Sequence, residues 1–254
     1  MIAVLRTIVW AMYFVLVLIV LLPPLRRAER MKREGDTAGC RKIVNKYVVM
    51  WMGTLMRIAG CKVEVSGLEH IPAGRAVVFT PNHQGDYDIP IMLTVLDRPH
   101  PFVAKMEADK IPLVRSWMRL FDCVFLDRED ARQAIGALRQ AQNLLEGGES
   151  VIVFPEGTRS RGDDLGEFKG GAFRMAFKAG APVVPVVIDG SYRIMEANHN
   201  LMKPGTVRVT FLPPIETAGL DRASQKALPE EVRQRIAQAK DGAPAPQIKE
   251  TAAA

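Results

Sequence analysis

Two polar segments, each directly after a hydrophobic run, hold the residues of this chain that could do chemistry. In residues 81–88, PNHQGDYD, four residues separate His83 from Asp88. The Pro, Asn and Gly of this segment favour a turn from a strand into a helix, so Asp88 on the first helical turn could reach back to one imidazole nitrogen. A carboxylate there fixes the tautomer and leaves the other nitrogen to accept a proton. The pair is a candidate general base, and the alternative is a helix-capping Asp beside a surface His.

The second segment, residues 154–160 with the sequence FPEGTRS, turns at a Pro and a Gly. Gly157 lets backbone amides approach a substrate closely. The planar guanidinium of Arg159 matches a phosphate group. Glu156 could orient Arg159 or a substrate hydroxyl. The alternative is a tight turn that carries a solvated ion pair.

Short β-rich runs alternate with helical patterns after residue 60, which predicts an α/β fold with a central mixed sheet flanked by helices. The predicted strands are residues 62–65, 76–80, 101–104, 124–126, 150–154, 183–188 and 207–211. Helical spacing of apolar residues predicts a crossover helix over 130–145 and shorter helices over 172–179 and 228–240. Pro229 and Glu230 are expected to open the last helix. Residues 241–254, rich in Ala and Pro, are expected to be disordered.

The N-terminal segment predicts a membrane helix. Residues 8–22 form an unbroken apolar run, and Arg6 is the one charge among residues 2–25. As a helix the run is about 22 Å long, short of the ~30 Å hydrocarbon layer unless flanking residues join it. A signal peptide fits less well, because the charges follow the apolar run and a small-residue cleavage pattern is missing. If the helix spans, the five basic residues between positions 26 and 33 keep the rest of the chain in the cytoplasm.

A second apolar segment covers residues 43–58, and the basic stretch between the two is expected to be a turn. The pair could form a shallow two-helix hairpin in one leaflet, or the second helix could pack on the α/β domain. The formal net charge is +6, and the excess near this stretch predicts an anionic membrane surface as partner. Nucleic acid is not expected, since no nucleic-acid-binding motif is present. The predicted organisation is a helical membrane motif over 1–60, an α/β domain over 61–222 and a C-terminal helix and tail over 223–254.

Length and composition limit the remaining possibilities. The 254 residues, 48% of them hydrophobic, suffice for one catalytic domain and an appendage. The three cysteines are too few and too scattered for a disulfide framework or a metal site, so they are expected to be reduced thiols. His70, His100 and His199 have no ligand spacing around them and are expected to be structural or exposed.

The motifs, taken together, resemble those of the glycerolipid acyltransferases, in particular the 1-acylglycerol-3-phosphate acyltransferases. The first family motif, a His and an Asp separated by four residues within an Asn-His-Gln opening, is met by His83 and Asp88. The remaining motifs are matched, in order, by residues 125–128 (FLDR), 154–160 (FPEGTRS) and 184–186 (VPV). The resemblance covers roughly residues 60–215.

The resemblance implies a reaction and a site. A fatty acyl group would pass from acyl-CoA or an acyl carrier protein thioester to the sn-2 hydroxyl of lysophosphatidic acid, giving phosphatidic acid for phospholipid biosynthesis. The implied catalytic residues are His83, Asp88, Glu156 and Gly157, and the implied phosphate-binding residues are Lys105, Arg128 and Arg159. Transfer would be direct, because the sequence has no Gly-x-Ser-x-Gly motif. A thioester is already activated, so no metal or other cofactor is expected.

Two positions refine this interpretation. Thr158 favours a lysophosphatidate acceptor over glycerol 3-phosphate, and Gly85 departs from the Ser or Asn that is frequent there in the family. The alternatives are an acyltransferase for another lyso-lipid, such as lysophosphatidylglycerol or a lyso-ornithine lipid, a hydrolase, and a non-catalytic membrane-binding scaffold. The sequence leaves open the acyl-chain length, the donor, the depth of the N-terminal helices and the oligomeric state.

Overall fold

A computed structural model describes residues 1–127 and 129–242 of the chain, without the side chain of Ala131. The helices in these residues are α1 Ile2–Val20, α2 Leu22–Arg33, α3 Thr37–Ala59, α4 Asp88–Val95, α5 Val114–Leu120, α6 Ala131–Glu146, α7 Arg174–Ala179 and α8 Arg222–Asp241. The strands are β1 Cys61–Ser66, β2 Val78–Pro81, β3 Val103–Lys105, β4 Val124–Leu126, β5 Val151–Ile152, β6 Val183–Asp189 and β7 Gly205–Phe211. The predicted role of Arg128 and the predicted disorder of residues 243–254 lie outside the described residues.

The strands form a mixed sheet with helices on its faces, which confirms the predicted fold class. The order in the main sheet is β1-β7-β6-β2-β5, and only the β6–β7 pair of this sheet is antiparallel within the described residues. Strands β3 and β4 form a separate parallel pair. A bridge between Phe102 and Ile152 joins that pair to the β5 edge. The ends of β2, β3, β4 and β5 therefore point the same way, which brings the segments that follow them to one side.

Strands β2, β5 and β6 of the main sheet are buried on both faces. Along β6, Val184, Val186 and Ile188 lie in one core, while Val183 and Val187 lie in the other. This alternation follows from the two-residue period of a strand. Helices α3, α4 and α5 contribute to the first core, and α6, α7 and α8 contribute to the second. A sheet covered on both faces needs strands that are apolar throughout, and the Val-rich runs meet that need.

The basic stretch between the two apolar segments is a helix, α2, and not the turn that the sequence pattern suggests. Pro23 and Pro24 stand at its first positions, where a helix needs no backbone N–H from them, so they start the helix instead of breaking it. Helix α3 buries a stripe that includes Val44, Val48 and Trp51. The second apolar segment therefore packs on the α/β domain, as one of the two expectations had it.

Helix α1 is the one helix among the described residues that is long and apolar enough to cross a membrane. Its 19 residues give a length of about 28 Å, close to the ~30 Å hydrocarbon layer. Large apolar side chains on it are more than 45% exposed, for example Leu5, Met12 and Leu16. Its inner side is attached to the domain through Phe14, which stacks on Trp10 and makes a tilted ring contact with Trp51 of α3. The apolar surface of α1 thus faces outward over most of its length.

Helix α8 begins seven residues earlier than predicted, at Arg222 instead of Pro229. Asp221 caps it by accepting a hydrogen bond from the Ser224 amide at 2.7 Å. Pro229 lies inside the helix and is buried. The prediction that Pro229 opens the helix is wrong because the capping carboxylate and the buried side chains of Leu228 and Val232 outweigh one missing N–H.

Candidate active site

The candidate site is built where the chain leaves β2. The Asn82 side chain is fully buried and extends the pairing of β2 with β6, since its Nδ2 donates to the Ile188 carbonyl at 2.9 Å and its Oδ1 accepts from the Ile188 amide at 2.7 Å. Gln84 is also fully buried, and its Oε1 accepts from the Gly190 amide at 2.8 Å. Successive side chains of an extended chain point to opposite sides, so clamping Asn82 and Gln84 on β6 turns His83 the other way.

His83 makes the expected contact with Asp88. Its Nδ1 lies 2.7 Å from Asp88 Oδ2. The same carboxylate oxygen accepts from the backbone amides of Gln84 at 2.7 Å and Gly85 at 2.9 Å. Asp88 is fully buried, whereas the His83 side chain is 16% exposed. An ionised Asp88 keeps a hydrogen on Nδ1, so Nε2 is the nitrogen that can accept a proton.

Phe154 supports the imidazole from its face. The two rings are stacked with their centroids 4.1 Å apart and an interplanar angle of 23°. Phe102 continues the stack on Phe154 at 6.1 Å. The Asp88 hydrogen bond fixes the rotation of the His83 ring in its plane, and Phe154 restricts its tilt. A partly apolar setting of this kind keeps the ring in one orientation for proton transfer.

The two chemistry-bearing segments are joined through their backbones. The Ser160 amide donates to the His83 carbonyl at 2.8 Å, and the Arg161 amide donates to the Gln84 carbonyl at 3.1 Å. These bonds hold the FPEGTRS turn beside the His83 ring. The two segments, about seventy residues apart in the sequence, therefore lie next to each other in the fold.

Glu156 contributes to the same junction through both of its carboxylate oxygens. One of its oxygens accepts from the His83 amide at 2.8 Å and the other from the Gly166 amide at 3.0 Å. Its residue is 4% exposed, and this burial raises the pKa of the carboxyl against the lowering effect of the two hydrogen bonds. Both oxygens thus accept from backbone amides, and among the described residues no ion pair joins Glu156 to Arg159.

Gly157 forms the turn as the sequence suggests, with a φ of 70°, in the left-handed region. Its amide donates to the Phe154 carbonyl at 3.1 Å. That N–H therefore closes the turn.

Arg159 lies beside acidic side chains of two other segments. Its Nη1 forms an ion pair with Asp86 and lies 3.7 Å from Glu196 Oε1. Sequence reasoning did not identify Glu196, which follows no motif and lies more than a hundred residues from Asp86. Lys105 is the last residue of β3 and is paired with Leu126 of β4. Leu126 precedes Arg128 by two positions in the sequence. The Lys105 side chain is exposed and, in the part of the chain that is described, has no ion-pair partner, so the cation is available to an anion.

Other candidate groups are engaged elsewhere. His100 has both ring nitrogens 3.0 Å from carboxylates, those of Glu149 and Asp97, and His70 Nδ1 lies 2.8 Å from the Phe211 carbonyl oxygen. Burial raises the pKa of the Cys123 thiol to about 12, so it is protonated at neutral pH and a poor nucleophile. The residues brought together in one site are therefore His83 and Asp88 with the turn that carries Arg159.

Comparisons with known proteins agree on one family. The sequence pattern of the family described as Acyltransferase matches residues 62–189. A protein of Mycoplasma genitalium named as a probable 1-acyl-sn-glycerol-3-phosphate acyltransferase is 34% identical over 210 residues, which cover 78% of this chain and 76% of that protein. A chloroplastic 1-acyl-sn-glycerol-3-phosphate acyltransferase of Arabidopsis thaliana is 36% identical over a region that covers 71% of this chain and 49% of that protein.

A solved structure is similar over almost the whole chain. The crystal structure of the 1-acyl-sn-glycerophosphate acyltransferase PlsC from Thermotoga maritima superposes with a TM-score of 0.75 at 30% sequence identity. The match covers 96% of this chain and all of that one. The likeness therefore includes the N-terminal helices as well as the α/β domain.

The clamp by Asn82 gives a prediction about stability. Asn82→Ala leaves the buried amide and carbonyl of Ile188 without their partners, so we expect the free energy of unfolding to fall by about 2–4 kcal/mol. Turnover should fall as well, because His83 is the next residue. Urea denaturation followed by circular dichroism measures the first effect. Asn143→Ala, on the exposed side of α6, is the matched control and should leave stability nearly unchanged. An Asn82 variant as stable as this control would contradict the clamp.

Proposed function

The chain belongs to the acyltransferase family, and from that membership we propose that it transfers a fatty acyl group from a thioester to the sn-2 hydroxyl of lysophosphatidic acid. The product, phosphatidic acid, is a precursor for phospholipid synthesis. The names of the relatives support this acceptor. The observation that carries the proposal is the hydrogen-bonded His83–Asp88 pair, joined through backbone hydrogen bonds to the turn that bears Arg159.

In the proposed mechanism His83 is a general base. Its Nε2 takes the proton of the sn-2 hydroxyl while the hydroxyl oxygen attacks the thioester carbonyl carbon. The C–O ester bond forms, the C–S bond breaks, and the departing thiolate takes the proton from the imidazolium. Asp88 stabilises that imidazolium through Nδ1 and does not itself need to exchange a proton.

The proposed acceptor site uses Arg159 and Lys105, with Arg128 as a further predicted cation outside the described residues. A guanidinium can bind two phosphate oxygens at once through parallel N–H groups. Arg159 is 29% exposed at its side chain, so one face is open to a ligand even with its two acidic neighbours in place. Binding the phosphate next to His83 would place the acceptor hydroxyl near Nε2.

Membrane association, the second part of the proposal, rests on the outward-facing apolar surface of α1. A groove between α2 and α3 carries the basic side chains of Arg27, Lys42 and Lys46. Within residues 1–127 and 129–242, none of the three forms an ion pair, so each is available to lipid phosphates. We place α1 in the bilayer and the α/β domain on the cytoplasmic side, because basic residues next to an apolar helix are retained there.

The donor is proposed to be acyl-CoA or an acyl carrier protein, and both should be assayed. The excess of basic residues suits either one, since each carries negative charge.

The proposed reaction can be tested directly with the purified protein. The purified protein should release thiol from an acyl thioester only when lysophosphatidic acid is present, and His83→Asn should lower kcat by at least about 10²-fold because the base is lost. The matched control is His199→Asn, since His199 is exposed and its φ of 53° suits Asn.

Each alternative has its own outcome in that assay. Acceptor-independent release would identify a hydrolase. Release that depends on lysophosphatidylglycerol or a lyso-ornithine lipid would change the acceptor, and the absence of release with every pairing of donor and acceptor would indicate a scaffold. Near-normal kcat in His83→Asn would overturn the mechanism while leaving the reaction intact.

Arg159 should affect acceptor binding more than turnover. Arg159→Ala is expected to raise the KM for lysophosphatidic acid by about tenfold or more, because a charge-assisted contact is lost. Arg159→Lys should have a KM for lysophosphatidic acid between those of the unmodified protein and Arg159→Ala, since lysine keeps the charge but not the planar guanidinium. The KM for the donor should not change. Arg139→Ala, on the exposed side of α6, serves as the control. A parallel rise of both KM values would exclude a specific role in acceptor binding.

Membrane binding should depend on the exposed side of α1. Leu5→Asp combined with Leu16→Asp changes side chains that are 62% and 55% exposed, and we expect flotation with phospholipid vesicles to fall sharply. Ile135→Asp, at 65% exposure on α6, should float like the unmodified protein. Lys42→Glu with Lys46→Glu should remove the preference for phosphatidylglycerol over phosphatidylcholine. Equal loss in the Ile135 variant would mean that any new acidic residue has this effect.

A further inference from the structure

Gly85 leaves a space that is filled by a carboxylate from a distant part of the sequence. The residue stands between His83 and Asp88, and a Cβ built on it would lie 2.6 Å from Glu196 Oε2. Carbon and oxygen do not approach that closely without displacement, so no side chain can be added at position 85 while Glu196 keeps its place. Gly85 and Glu196 therefore form a complementary pair, with the side chain of the second replacing the one that the first lacks.

Glu196 uses this space to reach two groups of the candidate site. Its Oε1 accepts from the Asp86 amide at 2.7 Å and lies 3.7 Å from Arg159 Nη1. The Glu196 side chain is 4% exposed, and burial raises the pKa of its carboxyl. Asp86 contacts the same Nη1 with its own carboxylate. One guanidinium nitrogen is thus flanked by two carboxylates, and one of them is out of solvent.

This arrangement leaves part of the guanidinium for a ligand. Arg carries five N–H donors in a fixed plane. Both carboxylates make their nearest approach at Nη1. A phosphate could then use the hydrogens of Nη2 and Nε, and the buried carboxylate would fix the plane in which they point.

The segment that carries Glu196 is itself attached to the N-terminal helix. The Met202 amide donates to Thr7 Oγ1 on α1 at 2.8 Å. The Tyr87 hydroxyl donates to the sulfur of Met202 at 3.2 Å. Glu196 therefore belongs to a stretch held between α1 and the His83 turn, which gives its carboxylate a fixed support.

We propose that Glu196 is a positioning residue that orients Arg159 for the phosphate of the acceptor, in the space that Gly85 provides. The inference rests on the proposed function, because it takes Arg159 as the phosphate ligand. Glu196 acts through Arg159 and the Asp86 amide and does not touch the reacting atoms. Its effect should therefore be confined to the acceptor.

The test is a double-mutant cycle on Glu196 and Arg159 with full kinetics for both substrates. Glu196→Ala should raise the KM for lysophosphatidic acid about tenfold and leave the donor KM and kcat within about twofold. In an Arg159→Ala background the same change should have almost no further effect, because the residue it acts through is gone. Glu69→Ala, an exposed acid with no partner in the described part of the chain, is the matched control.

A second cycle tests the shared space. Gly85→Ser alone should raise the acceptor KM, since its Cβ displaces Glu196. In a Glu196→Ala background Gly85→Ser should have almost no further effect, because the carboxylate that it displaces is already gone. Glu196→Gln keeps the shape and an oxygen for the Asp86 amide, so it should retain more acceptor affinity than Glu196→Ala. If Glu196→Ala does not fold, the acceptor KM of Glu196→Gln tests the inference in its place.

The outcomes separate the inference from the proposed function. An unmodified protein without activity on lysophosphatidic acid would refute the proposed function. An active protein in which Glu196→Ala and Glu196→Gln leave the acceptor KM unchanged would overturn the inference alone. Additive effects of Glu196→Ala and Arg159→Ala would also overturn it, because they would show that Glu196 does not act through Arg159.

Discussion

The burial of the Asp88 carboxylate is the constraint on which the site depends. A carboxylate removed from water is stable only when hydrogen bonds replace its hydration. Its Oδ2 accepts from the Gln84 and Gly85 amides and from His83 Nδ1, so three donors must converge on one atom. That convergence curls residues 83–88 around the start of α4. The N-terminal end of that helix also favours a negative charge. The orientation of the imidazole follows from this requirement.

Charged and polar side chains around His83 act mainly on the backbone. Asn82 and Gln84 hold the end of β6, and Glu156 holds the amides of His83 and Gly166. The bonds of Asn82 and Gln84 with β6 and its end, and the bond of Glu156 with His83, link segments that are far apart in the sequence. The His83 segment is thus fixed from the sheet on one side and from the FPEGTRS turn on the other. Rigid support of this kind is what a general base needs, because a small displacement of the reacting atoms lowers the rate steeply.

The parts of the fold and site that the sequence predicted are those with local signals. Val-rich runs located the strands, and a spacing of five positions was enough to pair His83 with Asp88. The parts it missed depend on tertiary context. Glu196 begins a short 3-10 helix between β6 and β7 and lies beside Gly85 only through the tertiary fold. Asn82 has the residue type of a turn, and its two hydrogen bonds to Ile188 have no local signal in the sequence. Pro229 gave the wrong helix start because the tertiary burial of α8 outweighs the local preference of proline for the first position of a helix.

Three buried carboxylates, those of Asp88, Glu156 and Glu196, lie around one imidazole and one guanidinium. Burial raises the pKa of Glu156 and of Glu196, so ionising them in this setting costs free energy. The backbone amides that compensate are those of His83 and Asp86 in the first polar segment and that of Gly166, which follows the second. Glu156 of the second segment therefore has its His83 partner only when the two segments have met. Neither segment can therefore reach its final shape alone. The site and the junction between the segments form together. For that reason each motif identifies residues of the site, whereas the contacts that orient those residues come from other parts of the chain.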